Sequence, residues 1–141
     1  TDISSKMIEI AREKAEAADV QNVTFEQSTL ESYSQTGQRW DAILGLNILH
    51  LQKNWSEVVA QVHGMLKPGG IFVSSTICIG DTMRFIGLIA PIGSFLGLMP
   101  PIAVFTKREL EAAHTKSGFD IDYQWQPENG KAIFIVATKA S

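Results

Sequence analysis

The chain has 141 residues, room for one domain, and with 45% apolar and 19% charged residues it can bury a core and is not a disordered tail. Lys plus Arg number 12 and Asp plus Glu 15, a formal charge of -3, which argues against a nucleic-acid-binding surface and its clustered positive charge. The single cysteine, Cys78, excludes an internal disulfide framework and an all-cysteine metal site.

The first element is a helix. Ser4 or Ser5 caps it, and Met7, Ile8, Ala11, Ala15 and Ala18 recur at helical spacing as an apolar stripe. After a break at Asp19–Asn22, Val23-Thr24-Phe25-Glu26 alternates and is rich in β-branched and aromatic residues, which predicts a short strand. Residues 27–40 read as polar loop or a weak short helix. Asp41-Ala42-Ile43-Leu44-Gly45-Leu46 is a continuous apolar run behind one Asp, the pattern of a strand buried on both faces of a parallel sheet.

The next helix starts at Asn54 or Ser56 and buries Val58, Val59, Val62, Met65 and Leu66. Lys67-Pro68-Gly69-Gly70 stops it, because Pro cannot continue a helix and Gly permits the reversal. Ile71–Ser75 is the following buried strand. Residues 85–105 carry no charge, yet Pro91, Pro100, Pro101, Gly87, Gly93 and Gly97 interrupt them, so a broken pair of helices or a lid over residues 84–105 fits better than a membrane span. Thr106 with Glu109 forms a capping box for a helix over 107–116, ended by Gly118. Two strands, 119–126 and 131–139, flank Pro127-Glu128-Asn129-Gly130, a hairpin signal. Strand–helix alternation gives one α/β domain over residues 1–141, with a mostly parallel sheet and an antiparallel C-terminal hairpin. With no secretory signal pattern at residue 1 and one cysteine, a reducing cytoplasmic compartment is expected.

Four segments in this order resemble class I S-adenosylmethionine-dependent methyltransferases of the bacterial small-molecule type. They are Asp2-Ile3-Ser4-Ser5-Lys6-Met7-Ile8, Trp40-Asp41-Ala42-Ile43-Leu44-Gly45-Leu46-Asn47-Ile48-Leu49-His50, Leu66-Lys67-Pro68-Gly69-Gly70-Ile71-Phe72-Val73, and Phe105–Leu110 running on to Gly118-Phe119. The family opens with a strand and a glycine-rich turn that lets backbone approach the cofactor closely. Neither is present, so the resemblance implies an N-terminally truncated Rossmann-like sheet covering the C-terminal three quarters of the family's domain.

What the resemblance implies for single residues follows from those segments. Asp2 matches the carboxylate that holds both ribose hydroxyls, or is a terminal residue in solvent. Ile3 matches the apolar contact to the adenine face, or packs at the helix entry. Gln27-Ser28-Thr29-Leu30 matches the turn that reads the adenine edge, with Thr29 where many relatives have Asp, or is a plain loop. Leu46 and Asn47 follow the strand at whose carboxyl end donor and acceptor meet, and His50 is the candidate base there, or simply packs beside the cofactor. His63 and His114 are expected at the surface or at helix ends, Cys78 in the core or at its rim, and no metal site is expected.

The expected activity is methyl transfer from S-adenosylmethionine to a small, apolar acceptor, by in-line displacement in which positioning is the main task. Lacking the glycine-rich turn, this chain is expected to bind the cofactor weakly and to be impaired in activity. Loss of the two central strands would leave the edge of strand 41–46 bare, and a bare apolar edge pairs with something. A homo-oligomer through that edge is therefore expected, with no nucleic acid and no stable membrane insertion. The alternative function is a non-catalytic remnant that binds a partner or itself.

Overall fold

A computed structural model describes residues 1–78, 80, 102–127 and 132–140. Most of the segment expected to form a lid, and the tip of the expected hairpin, lie outside the described residues. The chain divides into two compact units, Thr1–Gln38 and Arg39–Ser141.

In the first unit, α1 (Ser5–Ala17) is capped by Ser4, whose side chain accepts from the Met7 amide. Its stripe buries Ile8 and leaves Met7 exposed. The short helix α2 (Leu30–Gln35) is capped by Thr29, which accepts from the Ser32 amide at 3.2 Å. The strand expected at Val23–Glu26 does not form. A strand needs a ladder partner, and among the described residues only Asp2 supplies one, through a single parallel bridge to Gln27.

Among the described residues the second unit is a four-stranded sheet with two α-helices. Its strands are β1 (Trp40–Leu46), β2 (Leu66–Ile77), β3 (Phe119–Trp125) and β4 (Ala132–Lys139), in the spatial order β1-β2-β4-β3. β1 and β2 run parallel, with Ala42 to Leu46 opposite Ile71 to Ser75. The connection carries a 3-10 turn, Leu49–Leu51, and helix α3 (Trp55–Met65). β4 lies antiparallel between β2 and β3. Helix α4 (Lys107–Lys116) begins with the capping box expected from Thr106 and Glu109, and those bonds hold the Glu109 carboxyl below its ordinary pKa.

One face of the sheet makes the core. Phe72, Ser74 and Thr76 of β2, Ile133, Ile135 and Ala137 of β4, and Phe119 of β3 are buried on it. They share the interior with Val58, Val59, Val62 and Met65 of α3 and with Leu110, Ala113 and His114 of α4. On the opposite face Leu44, Leu46, Ile71, Tyr123 and Trp125 are 40–64% exposed.

Three expectations change here. β1 is not buried on both faces, because Leu44 and Leu46 on the face away from α3 and α4 are exposed, and among the described residues its strand neighbour is β2 alone. Lys67–Gly70 is not a reversal between helix and strand, because β2 already begins at Leu66, which pairs with Trp40. Gly69 takes φ 72 within that strand, where the β1–β2 register shifts between Trp40 and Ala42, and Lys67 Nζ reaches back 2.7 Å to Asp41. His114 is in the last turn of α4, as expected of a helix end, but not at the surface. It is fully buried, stacked on Phe72 at 5.5 Å and 16°, because its Nδ1 donates to the Leu110 carbonyl at 2.8 Å and its Nε2 stands 3.5 Å from Ser74 Oγ. A helix-face histidine whose polar atoms are met inside can replace an apolar residue.

Candidate functional site

Ligands of open α/β sheets sit outside the carboxyl ends of parallel strands. In the second unit those are the ends of β1 and β2. β1 stops at Leu46 because Asn47 takes a left-handed conformation, φ 57, which Asn tolerates better than most residues. The Asn47 amide then donates to the Ser75 carbonyl at 2.7 Å, tying the end of β1 to β2. The chain turns into the 3-10 helix, whose Leu49 is fully buried and anchors the turn, while Leu46, Ile48 and Leu51 are 41–54% exposed.

His50 sits in this turn. Its carbonyl accepts from the Ala103 amide at 2.8 Å, and its Nδ1 stands 3.3 Å from Thr76 Oγ1. Thr76 is fully buried. Burial pushes the His50 imidazole below its ordinary pKa of 6.5, so the ring is neutral at physiological pH. Cys78, just beyond β2, is buried, within the core-or-rim expectation.

The sequence-predicted residues of the first unit form a second cluster. The Asp2 backbone bridges to the turn after Glu26: its amide donates to the Glu26 carbonyl at 3.3 Å, and its carbonyl accepts from Ser28 at 3.1 Å. One carboxylate oxygen, Oδ1, accepts from the Ser4 amide at 2.8 Å, and Oδ2 makes no hydrogen bond among the described residues. Ile3 beside it is 74% exposed. Gln27 Nε2 donates to the Ile3 carbonyl at 3.0 Å, which holds the two segments together. Ser28 and Leu30 flank the bridge, and the Thr29 hydroxyl is committed to capping α2. A carboxylate with one open oxygen next to an exposed aliphatic side chain can accept a hydrogen bond from a ligand beside an apolar contact.

Thus the structure groups Asp2, Ile3, Ser28, Thr29 and Leu30 in one unit and Leu46, Asn47 and His50 in the other. His63 lies apart, half-buried edge-on to Phe119 at 4.9 Å. Burial, and then the Lys139 ammonium, hold its pKa low, against a hydrogen bond from the ring to the Gly118 backbone. Sequence reasoning placed Gln27 in this turn without foreseeing that it braces Ile3, and missed Thr76 as the partner of His50. The available signal for Thr76 was a hydroxyl near the carboxyl end of an apolar strand, at the level of the crevice. No cluster of three or more metal-ligating side chains occurs among the described residues.

A parallel strand pair joined through a helix, with polar residues just beyond the strand ends, is the arrangement in which open α/β sheets hold ligands. The profile of the methyltransferase domain family matches residues 1–129, and the chain belongs to that family. Its fold is the one seen in a putative S-adenosylmethionine-dependent methyltransferase from Listeria monocytogenes, with a TM-score of 0.78 and 19% identity over 99% of this chain and 78% of that one. It is also seen in magnesium protoporphyrin IX methyltransferase from Synechocystis with bound S-adenosylhomocysteine, with a TM-score of 0.70 and 17% identity over 98% of this chain and 61% of that one. Fusarielin synthase FSL1 of Gibberella zeae is 44% identical over 50 residues, 36% of this chain and 2% of the synthase. Against three further solved structures the chain spans 41%, 52% and 40% of their length. No helix among the described residues is long and apolar enough to cross a membrane.

Proposed function

We propose that these residues serve methyl transfer from S-adenosylmethionine to a small, apolar acceptor. The observation that carries the reading is the end of β1. A left-handed Asn47 and a neutral, pinned His50 stand there among the exposed apolar side chains Leu46, Ile48 and Leu51. Asp2 and Ile3 would take the ribose and adenine of the donor. Displacement at a sulfonium methyl releases a neutral thioether, so the protein's task is alignment more than charge stabilisation. An acceptor with few polar groups suits the apolar rim.

The chain contains no Gly-x-Gly-x-Gly turn, so its own grip on the methionine end of the donor is weak. Titration of this chain with S-adenosylmethionine, followed by amide resonances, tests the reading. The expected result is shifts confined to Asp2–Leu30 and Leu46–His50 with a Kd near 1 mM, about 4 kcal/mol. Micromolar binding would contradict the account of the absent turn. No shift at saturating donor would favour the second reading, a non-catalytic module that binds a partner or itself. That reading draws on the edge position of β1 among the described strands, with Leu44 and Leu46 exposed. Through that edge we propose a homo-oligomer in either case. A reducing cytoplasm suits a chain whose sole cysteine is buried.

A further inference from the structure

We infer that Thr76 fixes His50 as a hydrogen-bond donor through Nε2–H, and that His50 orients an oxygen of the bound small molecule instead of removing a proton. Thr76 Oγ1 is fully buried, and its hydrogen-bond partner is the Nδ1 of His50 at 3.3 Å. A hydroxyl has one proton to give, and a buried donor left unmet costs about 1–3 kcal/mol. If Nδ1 carried the ring proton, Thr76 would accept it and its own buried O–H would have no acceptor among the described residues. If Nδ1 carries the lone pair, Thr76 donates to it and both groups are satisfied with one bond.

The second arrangement leaves the single proton of the neutral ring on Nε2. That nitrogen makes no hydrogen bond among the described residues. The backbone of His50 is held at the same time by Ala103 at 2.8 Å and by buried Leu49, so the ring cannot turn to offer Nδ1 instead without losing the Thr76 contact. The group that an N–H at this place recognises is an oxygen acceptor: a carbonyl, a carboxylate or a deprotonated hydroxyl. The identity of that oxygen's owner rests on the methyl-transfer reading; the tautomer does not. Thr76 is on this account a positioning residue, acting through His50.

The experiment is a long-range proton–nitrogen correlation spectrum of the His50 ring in this chain above pH 7.5, where the ring is neutral. The expected spectrum has the proton on Nε2 and a hydrogen-bonded, unprotonated Nδ1. A proton on Nδ1 overturns the proposal. In T76V, which keeps the side-chain shape, the Nδ1 resonance should move to that of an unbonded nitrogen, and T76S should restore it. An unchanged Nδ1 resonance in T76V also overturns it. If T76V does not fold, the wild-type and T76S spectra still decide the tautomer. Adding sodium acetate as an oxygen probe should move the Nε2 signal of the wild type and leave His63 and His114 unmoved; no movement removes the oxygen-recognition half. The failure of methyl-donor binding would sink the function proposed above without touching these resonances.

Discussion

Acidification should unfold this protein through His114. The ring is fully buried between Phe72 and Phe119, with centroids 5.5 and 5.9 Å away. Burial holds its pKa below 6.5, and the Leu110 carbonyl opposes this with a smaller effect. The folded state therefore keeps the ring neutral, while in the unfolded chain it takes a proton near pH 6.5. Below that pH the unfolded state binds more protons than the folded one, so stability is intact above about pH 7 and falls as pH drops through the unfolded value, until the folded value is reached. One proton of difference amounts to about 1.4 kcal/mol per pH unit. Urea unfolding of the wild type and of H114F between pH 5 and 8 measures it. Phe keeps the ring volume and the stack on Phe72 but leaves Ser74 without its partner, a cost of about 1 kcal/mol at pH 8. The two curves should converge as pH falls, since H114F lacks this proton. Curves that decline in parallel below pH 6.5 would refute the reasoning and move the proton uptake to His50 or His63, which are also held low but are only partly buried.

Leu110→Ala should cost about 2–5 kcal/mol by denaturant midpoint, because the side chain is fully buried against the sheet. Gly118→Ala should cost about 1–3 kcal/mol, since residue 118 has φ 94 and an added Cβ would lie 3.0 Å from His63 Nε2. A loss confined to a few tenths would show that the loop can shift. Thr106→Ala removes the bond to the Glu109 amide and should lower stability by about 1 kcal/mol with an unchanged denaturant slope. Sedimentation velocity should find the wild type self-associated and Leu44→Lys shifted to monomer, because Leu44 is 64% exposed on the edge strand among the described strands; a monomeric wild type at all concentrations removes the oligomer.

Local chemistry decided much of this protein. The caps at Ser4 and at Thr106 with Glu109, the apolar stripes of α1 and α3, and the two strands that follow Gly118 are consequences of side chains a few residues apart, so they were legible in the sequence. The parallel neighbourhood of β1 and β2 followed from the intervening helix, which forces a crossover. Asp2, Asn47 and His50 could be picked out because the resemblance carries them at fixed distances from those elements.

What the sequence could not decide depends on groups far apart in the chain. Val23–Glu26 has strand-forming residues but, among the described residues, no ladder partner beyond Asp2, so propensity loses to pairing. β1 has the composition of a doubly buried strand and leaves Leu44 and Leu46 exposed, because burial belongs to the neighbours and not to the strand. The place of β4 between β2 and β3, the inward turn of His114 and the bond from Thr76 to His50 all join residues at least 26 positions apart, or strands whose order no local pattern encodes. Periodicity reports which side of an element is apolar. Only the packed chain determines what that side meets, and so which histidine is held in the core and which stands at the strand ends with a proton to offer.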